Sequence, residues 1–196
     1  GAVVMMESLR GLERVLLAHA RTHEAFAKWE WPLSLNVGKI NGGEWSGTVP
    51  ERCTLLGDLG FLPTHSVEQV EQLIRRACAE AAERWVGGRH LLRFDQGLRN
   101  DACLTPDSAA VIQEWAGLTG VRATDVAGWN VSCDARHYVH AMRVPTIVFG
   151  PGSLKDAHSA HEHVTWSELR EGTWLLAQYI ARARVDDPAS GQEEER

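Results

Sequence analysis

No stretch of this 196-residue chain approaches the roughly 20 consecutive apolar residues that cross a bilayer. The opening Ala2-Val3-Val4-Met5-Met6 meets Glu7 at once without a basic lead-in, so it reads as neither an anchor nor a signal peptide. A basic excess is also missing. Twenty Lys+Arg stand against 26 Asp+Glu, giving a formal charge of −6 and a pI near 5.8. That balance argues against nucleic acid or an anionic membrane as the main partner, because either wants a basic face. Cysteine is sparse: Cys53, Cys78, Cys103 and Cys133 lie far apart, with no close pair for a zinc knuckle or a redox motif. Reduced thiols and a cytoplasmic location are the expectation. Gly-rich phosphate loop, nucleophile elbow and cysteine–histidine pair are all absent, and the eight scattered tryptophans read as core and interface fillers, not as a stacking platform.

What is present suits a globular chain with a sizeable core: 44% hydrophobic and 23% charged residues. Met5, Leu9, Leu12, Leu16 and Leu17 recur at helical spacing through about residue 21, opposite Glu7, Arg10, Glu13 and Arg14. His19 and His23 sit four apart on that helix, but the acidic partner of a zincin motif is absent, which favours polar-face histidines. Leu33 to Ile40 alternates apolar with polar and runs into Asn41-Gly42-Gly43, and Arg52 to Leu62 reads as the returning strand of an antiparallel ribbon. Ser66-Val67-Glu68-Gln69 is a capping-box sequence, with a helical stripe continuing through Val70, Leu73, Ile74, Ala77, Cys78 and Ala81 to about Trp85. His90 to Phe94 is expected as one more short strand. The order helix, strand, strand, helix, strand is that of a split βαββαβ sandwich lacking its first strand.

Character changes after Asn100-Asp101. Thr105-Pro106 predicts an N-cap with proline at the first helical position, Val111, Ile112 and Trp115 supply an apolar face, and Gly117 and Gly120 close the helix. Val121 to Val126 is a candidate strand, and Pro145 to Phe149 has the continuous apolar pattern of a strand buried on both faces. Thr165-Trp166-Ser167-Glu168 is a second capping box, opening a helix with Leu169, Leu175, Leu176, Tyr179 and Ile180 as its stripe. Residues 186–196 are acidic and apolar-poor, and read as a disordered tail.

Chemistry-bearing residues concentrate in one place. Asp156, His158, His161, Glu162 and His163 follow the Gly150-Pro151-Gly152 turn, where glycine lets backbone approach a ligand closely. Imidazole and carboxylate are zinc ligands, and loops beyond the ends of buried strands are where α/β folds place their sites. A solvated polar loop whose histidines cap the next helix accounts for the same composition. One loop cannot hold a catalytic metal, because zinc needs three or four ligands converging in space. His137 and His140 are further candidates, or lie on an exposed helical turn. Arg136 would grip a substrate carboxylate with its planar fork, or else pairs with Asp134; both readings stand.

The order of these motifs resembles the metallopeptidase superfamily of acetylornithine deacetylase, succinyl-diaminopimelate desuccinylase, aminoacylase and carboxypeptidase G. Asn36-Val37-Gly38-Lys39-Ile40-Asn41-Gly42-Gly43 through Val49-Pro50-Glu51 is similar to the first hairpin of that family's lid, and Ser66 to Ala82 to its second helix. Asp134-Ala135-Arg136, the run from Pro145 to Gly152, and Ala157-His158 with Glu162 resemble the end of its catalytic domain. Two departures stand out: Gly47, where many members have Asn, and Gly60, where many have Arg. Some relatives do carry a Gly-Phe-Leu-Pro segment like Gly60 to Pro63.

The resemblance implies an α/β fold: a two-layer βαββαβ lid (dimerisation) domain over residues 1–100, then the C-terminal part of a zinc-peptidase-like catalytic domain over 101–185. It implies His158 as the last metal ligand of a two-metal site, zinc or alternatively cobalt or manganese. Arg136, Gly150, Pro151 and Gly152 would lie at the substrate end. A metal-bound water would attack the amide of an N-acyl amino acid or related amine, with a glutamate moving the proton. The other ligands, that glutamate and a lid histidine are expected upstream of Gly1, so the isolated chain is expected to be an inactive fragment that pairs as a homodimer through the lid. The rival expectation is a non-catalytic dimerisation module with a vestigial metal site. A lone metal-binding protein using the His158 to His163 cluster is a third.

Overall fold

Leu12, Leu16 and Leu17 fall on one side of a helix, α1 (Ala2–Ala20), and that side is buried: Leu16 retains 2% of its surface and Ala20 1%. In this computed structural model residues 1–85, 88–95, 99–106, 109–120 and 126–185 are described. After a 3-10 turn at Glu24–Phe26, β1 (Leu35–Gly42) and β2 (Cys53–Leu59) form the expected antiparallel ribbon. Their register runs from Leu35 opposite Leu59 to Gly42 opposite Cys53, with a bulge between Val37 and Lys39. The second helix, α2 (Val67–Arg84), opens with the predicted capping box: Ser66 Oγ accepts the Gln69 N–H at 3.3 Å, and Gln69 Oε1 accepts the Ser66 N–H at 2.8 Å.

Helix α1 packs on α2 and on the ribbon, and the core between them holds Leu12, Leu16, Leu17, Ala20, Phe26, Leu33, Leu62 and Ala77. Two polar ties fix the helices. The Ser8 hydroxyl donates to the Ala77 carbonyl at 2.7 Å, and the Leu35 N–H donates to buried Glu13 Oε1 at 3.0 Å. Burial opposes ionisation of Glu13, but the Leu35 N–H and Arg10 outweigh it and hold its pKa below the usual glutamate value.

The chain divides into two compact units, Gly1–Leu104 with Ala127–Arg143, and Thr105–Val126 with Val144–Arg196. The return of Ala127–Arg143 to the first unit is secured by hydrogen bonds to backbone carbonyls. Gly128 N–H donates to the Ala25 carbonyl at 2.6 Å, Trp29 Nε1 to the Gly128 carbonyl at 2.7 Å, and Asn130 Nδ2 to the Trp31 carbonyl at 3.3 Å. This segment carries α4 (Ala135–His140), whose His140 Nε2 lies 3.1 Å from the Ala102 carbonyl.

Three sequence expectations meet a different outcome. His90–Phe94 forms no strand; Leu91 is 76% exposed, and Phe94 lies beneath the Arg75 guanidinium, 4.8 Å from its ring centroid. Pro145–Phe149 forms no strand either, because no described segment offers it a ladder. Instead the Thr105 hydroxyl donates to the Thr146 carbonyl at 2.6 Å and accepts its N–H at 2.9 Å. That pairing engages the oxygen expected to cap the third helix, so α3 (Ala110–Thr119) begins at Ala109 without a side-chain cap. The same helix ends as expected on Gly120, whose φ of +71° suits a residue without Cβ. Residues 121–125 of the candidate strand Val121 to Val126 and the acidic tail at 186–196 lie outside the described residues.

In the second unit α3 packs on α5 (Trp166–Val185) through Trp115, which meets Tyr179 at 5.4 Å and Phe149 at 4.4 Å between ring centroids. The predicted capping box of α5 is present: Thr165 N–H donates to Glu168 Oε2 at 2.8 Å and Glu168 N–H to Thr165 Oγ1 at 3.3 Å. The Thr165 hydroxyl, which donates to Glu168 Oε2 at 2.7 Å, together with the Thr165 N–H holds the Glu168 pKa below its usual value.

Candidate functional site

Arg136 stands in the first unit, at the start of α4. Its Nη1 donates to the Cys133 carbonyl at 2.6 Å, reaches Ser132 Oγ at 3.4 Å and lies 3.7 Å from Asp134 Oδ1. The local pairing with Asp134 is therefore real but long, and Asp134 is 86% exposed, which makes it a weak ion pair. Arg136 Nε is buried without a partner among the described residues. A guanidinium binds a carboxylate side-on through Nε–H and one Nη–H, so one half of such a fork is unspent. His137 and His140 sit on an exposed helical turn, the simpler of their two expected readings.

The fold also gathers what sequence separation concealed. Cys103 lies near enough to Cys133 and Arg136 to feel their charge. Burial, reinforced by Cys133 and opposed by Arg136, pushes the Cys103 thiol up, and burial alone pushes Cys78 up. Thiols held protonated are poor nucleophiles, in keeping with the lack of a cysteine-based catalytic pair.

In the second unit the Gly150-Pro151-Gly152 turn runs exposed, and Gly152 takes φ +94°, a conformation that a side chain would strain. A Cβ at Gly152 would lie 3.5 Å from the His163 carbonyl, so the turn sits against the far end of the histidine loop. Between them the loop is tied to itself: Asp156 N–H to the Ser153 carbonyl at 3.1 Å, Ser159 Oγ to the Asp156 carbonyl at 2.6 Å, and His161 N–H to Ser159 Oγ at 3.1 Å.

His158 is exposed and takes φ +61°, a left-handed conformation that only one other described non-glycine residue, Arg143, adopts. Strain of this kind costs of order 1–3 kcal/mol and concentrates at functional sites. The His158 N–H donates to Glu162 Oε2 at 2.9 Å, while its ring has no hydrogen-bond partner among the described residues. By contrast His163 Nδ1 lies 2.7 Å from the His161 carbonyl. No three His, Cys, Asp or Glu side chains among the described residues come together as a metal-binding group. The loop leaves His158, His161 and His163 exposed and brings no metal-binding group together among the described residues.

Two features escaped the sequence reading. The carboxylate of Glu162 serves as a backbone acceptor, and nothing in its spacing announces that. The left-handed turn at His158 had only a faint signal, since histidine adopts that region more readily than most side chains.

Comparison with known proteins supplies the context. Residues 4–86, which span α1, the ribbon and α2, match the peptidase dimerisation domain family. Acetylornithine deacetylase of Klebsiella pneumoniae (strain 342) is 27% identical over 147 residues, which is 75% of this chain and 37% of that protein. The proteins of the same name from Shigella sonnei (strain Ss046) and Salmonella arizonae (strain ATCC BAA-731 / CDC346-86 / RSK2980) are 26% identical over the same shares. The matched part thus covers little more than a third of each of these relatives. The chain is thus similar at its start to the peptidase dimerisation domain family and along three quarters of its length to acetylornithine deacetylases, which supports kinship with the superfamily of peptidases and amidohydrolases.

Proposed function

We propose that this chain is the lid and C-terminal catalytic segment of a metal-dependent hydrolase that removes an N-acyl group from an amino acid or related amine. The observation that carries the reading is the joint occurrence of the dimerisation-domain match over residues 4–86 with deacetylase relatives across 147 residues. The relatives are named for acetylornithine, an N-acyl amino acid, and that substrate class is carried over here. In this reading α1, β1, β2 and α2 are inner elements of a βαββαβ lid, and residues 101–185 belong to the catalytic domain.

His158 is assigned as a metal ligand, with zinc the first choice and cobalt or manganese also compatible with imidazole. Its ring is exposed and unengaged, as a ligand requires. A catalytic zinc takes three protein ligands, and the described residues bring no such group together. These residues therefore do not complete a metal site, and the chain by itself is expected to be inactive. Arg136 is assigned to the substrate carboxylate through its unspent Nε–H, and the Gly150-Pro151-Gly152 backbone to shaping the substrate end.

A second copy of the chain is the expected partner. Ile40 and Leu56 on the ribbon are each 56% exposed, and neither outer edge of the ribbon is laddered among the described residues, the condition under which strand edges recruit partners. No described helix is long and apolar enough to cross a membrane.

Hydrolysis of N-acetyl amino acids by the purified chain with added zinc tests the inactivity directly: no turnover is expected, and turnover would contradict it. Reading the gene upstream of the Gly1 codon tests the rest, with a His-x-Asp and paired acidic residues expected there. The rival reading is a non-catalytic dimerisation module. Sedimentation would support it if the dimer ignored zinc and His158→Ala changed nothing.

A further inference from the structure

We propose that Glu162 is a positioning residue for His158: its carboxylate locks the His158 backbone in the left-handed turn in which the imidazole stands exposed. The inference rests on the reading of His158 as a metal ligand, and deepens it by naming what holds the ligand in place. Three observations converge on it. His158 is one of only two described non-glycine residues with positive φ, so its conformation needs a restraint. The restraint is visible as a single charge-assisted bond, Glu162 Oε2 to the His158 N–H at 2.9 Å. Nothing else among the described residues engages either the ring of His158 or its amide, so the loop's other bonds, through Ser153, Asp156 and Ser159, shape the approach without fixing this residue.

The arrangement differs from the usual support of a metal-binding histidine, in which a partner accepts from the second ring nitrogen and sets the tautomer. Here the carboxylate acts on the main chain. It leaves both ring nitrogens open and engages Glu162 Oε2 with the backbone. Asp156, His161 and His163, the loop's remaining metal-capable side chains, form no metal-binding group with His158, and the backbones of Asp156 and His161 are tied into the turn at Ser153 and Ser159.

The test uses the isotope-labelled chain and two variants, Glu162→Ala and Glu162→Gln. Amide hydrogen exchange at His158 is expected to quicken about tenfold in Glu162→Ala, the scale of one such bond lost. It should stay within about threefold of the parent in Glu162→Gln, whose side-chain oxygen accepts the same bond. Zinc titrated into the same samples, read at the His158 ring resonances, should require several-fold more metal in Glu162→Ala, in the direction known for support residues of metal ligands. Glu162→Gln should recover most of that difference.

Unchanged exchange at His158 in Glu162→Ala would overturn the proposal. So would a Glu162→Gln variant that falls as far as Ala in the zinc titration, because the charge and not the bond would then carry the effect. A parent whose His158 ring ignores zinc while those of His161 and His163 respond would instead remove the metal-ligand reading. The exchange comparison would still decide whether Glu162 holds the turn.

Discussion

The two units of this chain handle apolar surface in opposite ways. In the first, α1 and α2 close over the ribbon, and thirteen of the fourteen buried hydrophobic residues among those described, from Leu12 to Ala81, lie there. In the second, Ile112 is the one buried hydrophobic among the described residues, while Trp166, Trp174, Leu176 and Ile180 of α5 are 48 to 87% exposed. The first unit has a self-sufficient core; the second shows the apolar pattern of buried elements without the neighbours that would bury them. Apolar periodicity therefore reports what a segment is built to meet, and burial reports what it has met.

The largest test of that contrast lies at Leu16, 2% exposed in the middle of the first core. Leu16→Ala should destabilise the first unit by about 2–5 kcal/mol, the range for a large-to-small change in a packed core, with a matching fall in the urea midpoint. A loss below 1 kcal/mol, on the same scale as a surface change, would show that the first core is no better closed than the second.

Glu13 comes next. Removing its carboxylate by Glu13→Ala leaves the Leu35 N–H buried without an acceptor, at a cost of about 1–3 kcal/mol. Because the folded pKa is depressed, Glu13 contributes stability that is fully present above the ordinary glutamate pKa and is lost as pH falls through the lower folded value. Glu13→Gln keeps an acceptor for Leu35 but cannot titrate. Its acid unfolding curve should therefore be flatter than that of the parent, and a curve as steep would remove Glu13 from the account.

A smaller effect is expected at the start of α2, where Ser66→Ala removes one half of the capping box at about 1 kcal/mol. The matching change in the second unit, Thr165→Ala, should cost about as much by the same geometry. Equal losses would show that the units differ in core closure and not in local helix quality.

These cap sites explain why so much of the fold was legible. Both capping boxes, the stripe of α1, the antiparallel ribbon and the Gly120 stop depend on neighbours within a few residues, and sequence carries such neighbours openly. The strands expected at His90–Phe94 and Pro145–Phe149 depend on a ladder from elsewhere, which no local pattern can guarantee. Thr105 shows the limit sharply: a good N-cap by type and position, it is drawn instead to the backbone of Thr146, 41 residues away. At the candidate site, sequence could nominate Arg136 and His158 as residue types. It could not show that Arg136 spends Nη1 on its own turn, nor that His158 is held by its backbone.

The smallest predicted effect is the most informative about the second unit. Trp174 is 64% exposed and Ile180 49% exposed on α5, so in dilute, purified chain Trp174→Ser and Ile180→Ser should each move stability by no more than about 0.5 kcal/mol, as surface substitutions do. The measurement is a pair of urea titrations at low and high protein concentration. If either variant loses several times that amount, and loses more at high concentration, the outer face of α5 is covered in solution by another copy of the chain. The second unit would then bury its apolar pattern between molecules where the first buries its own within one.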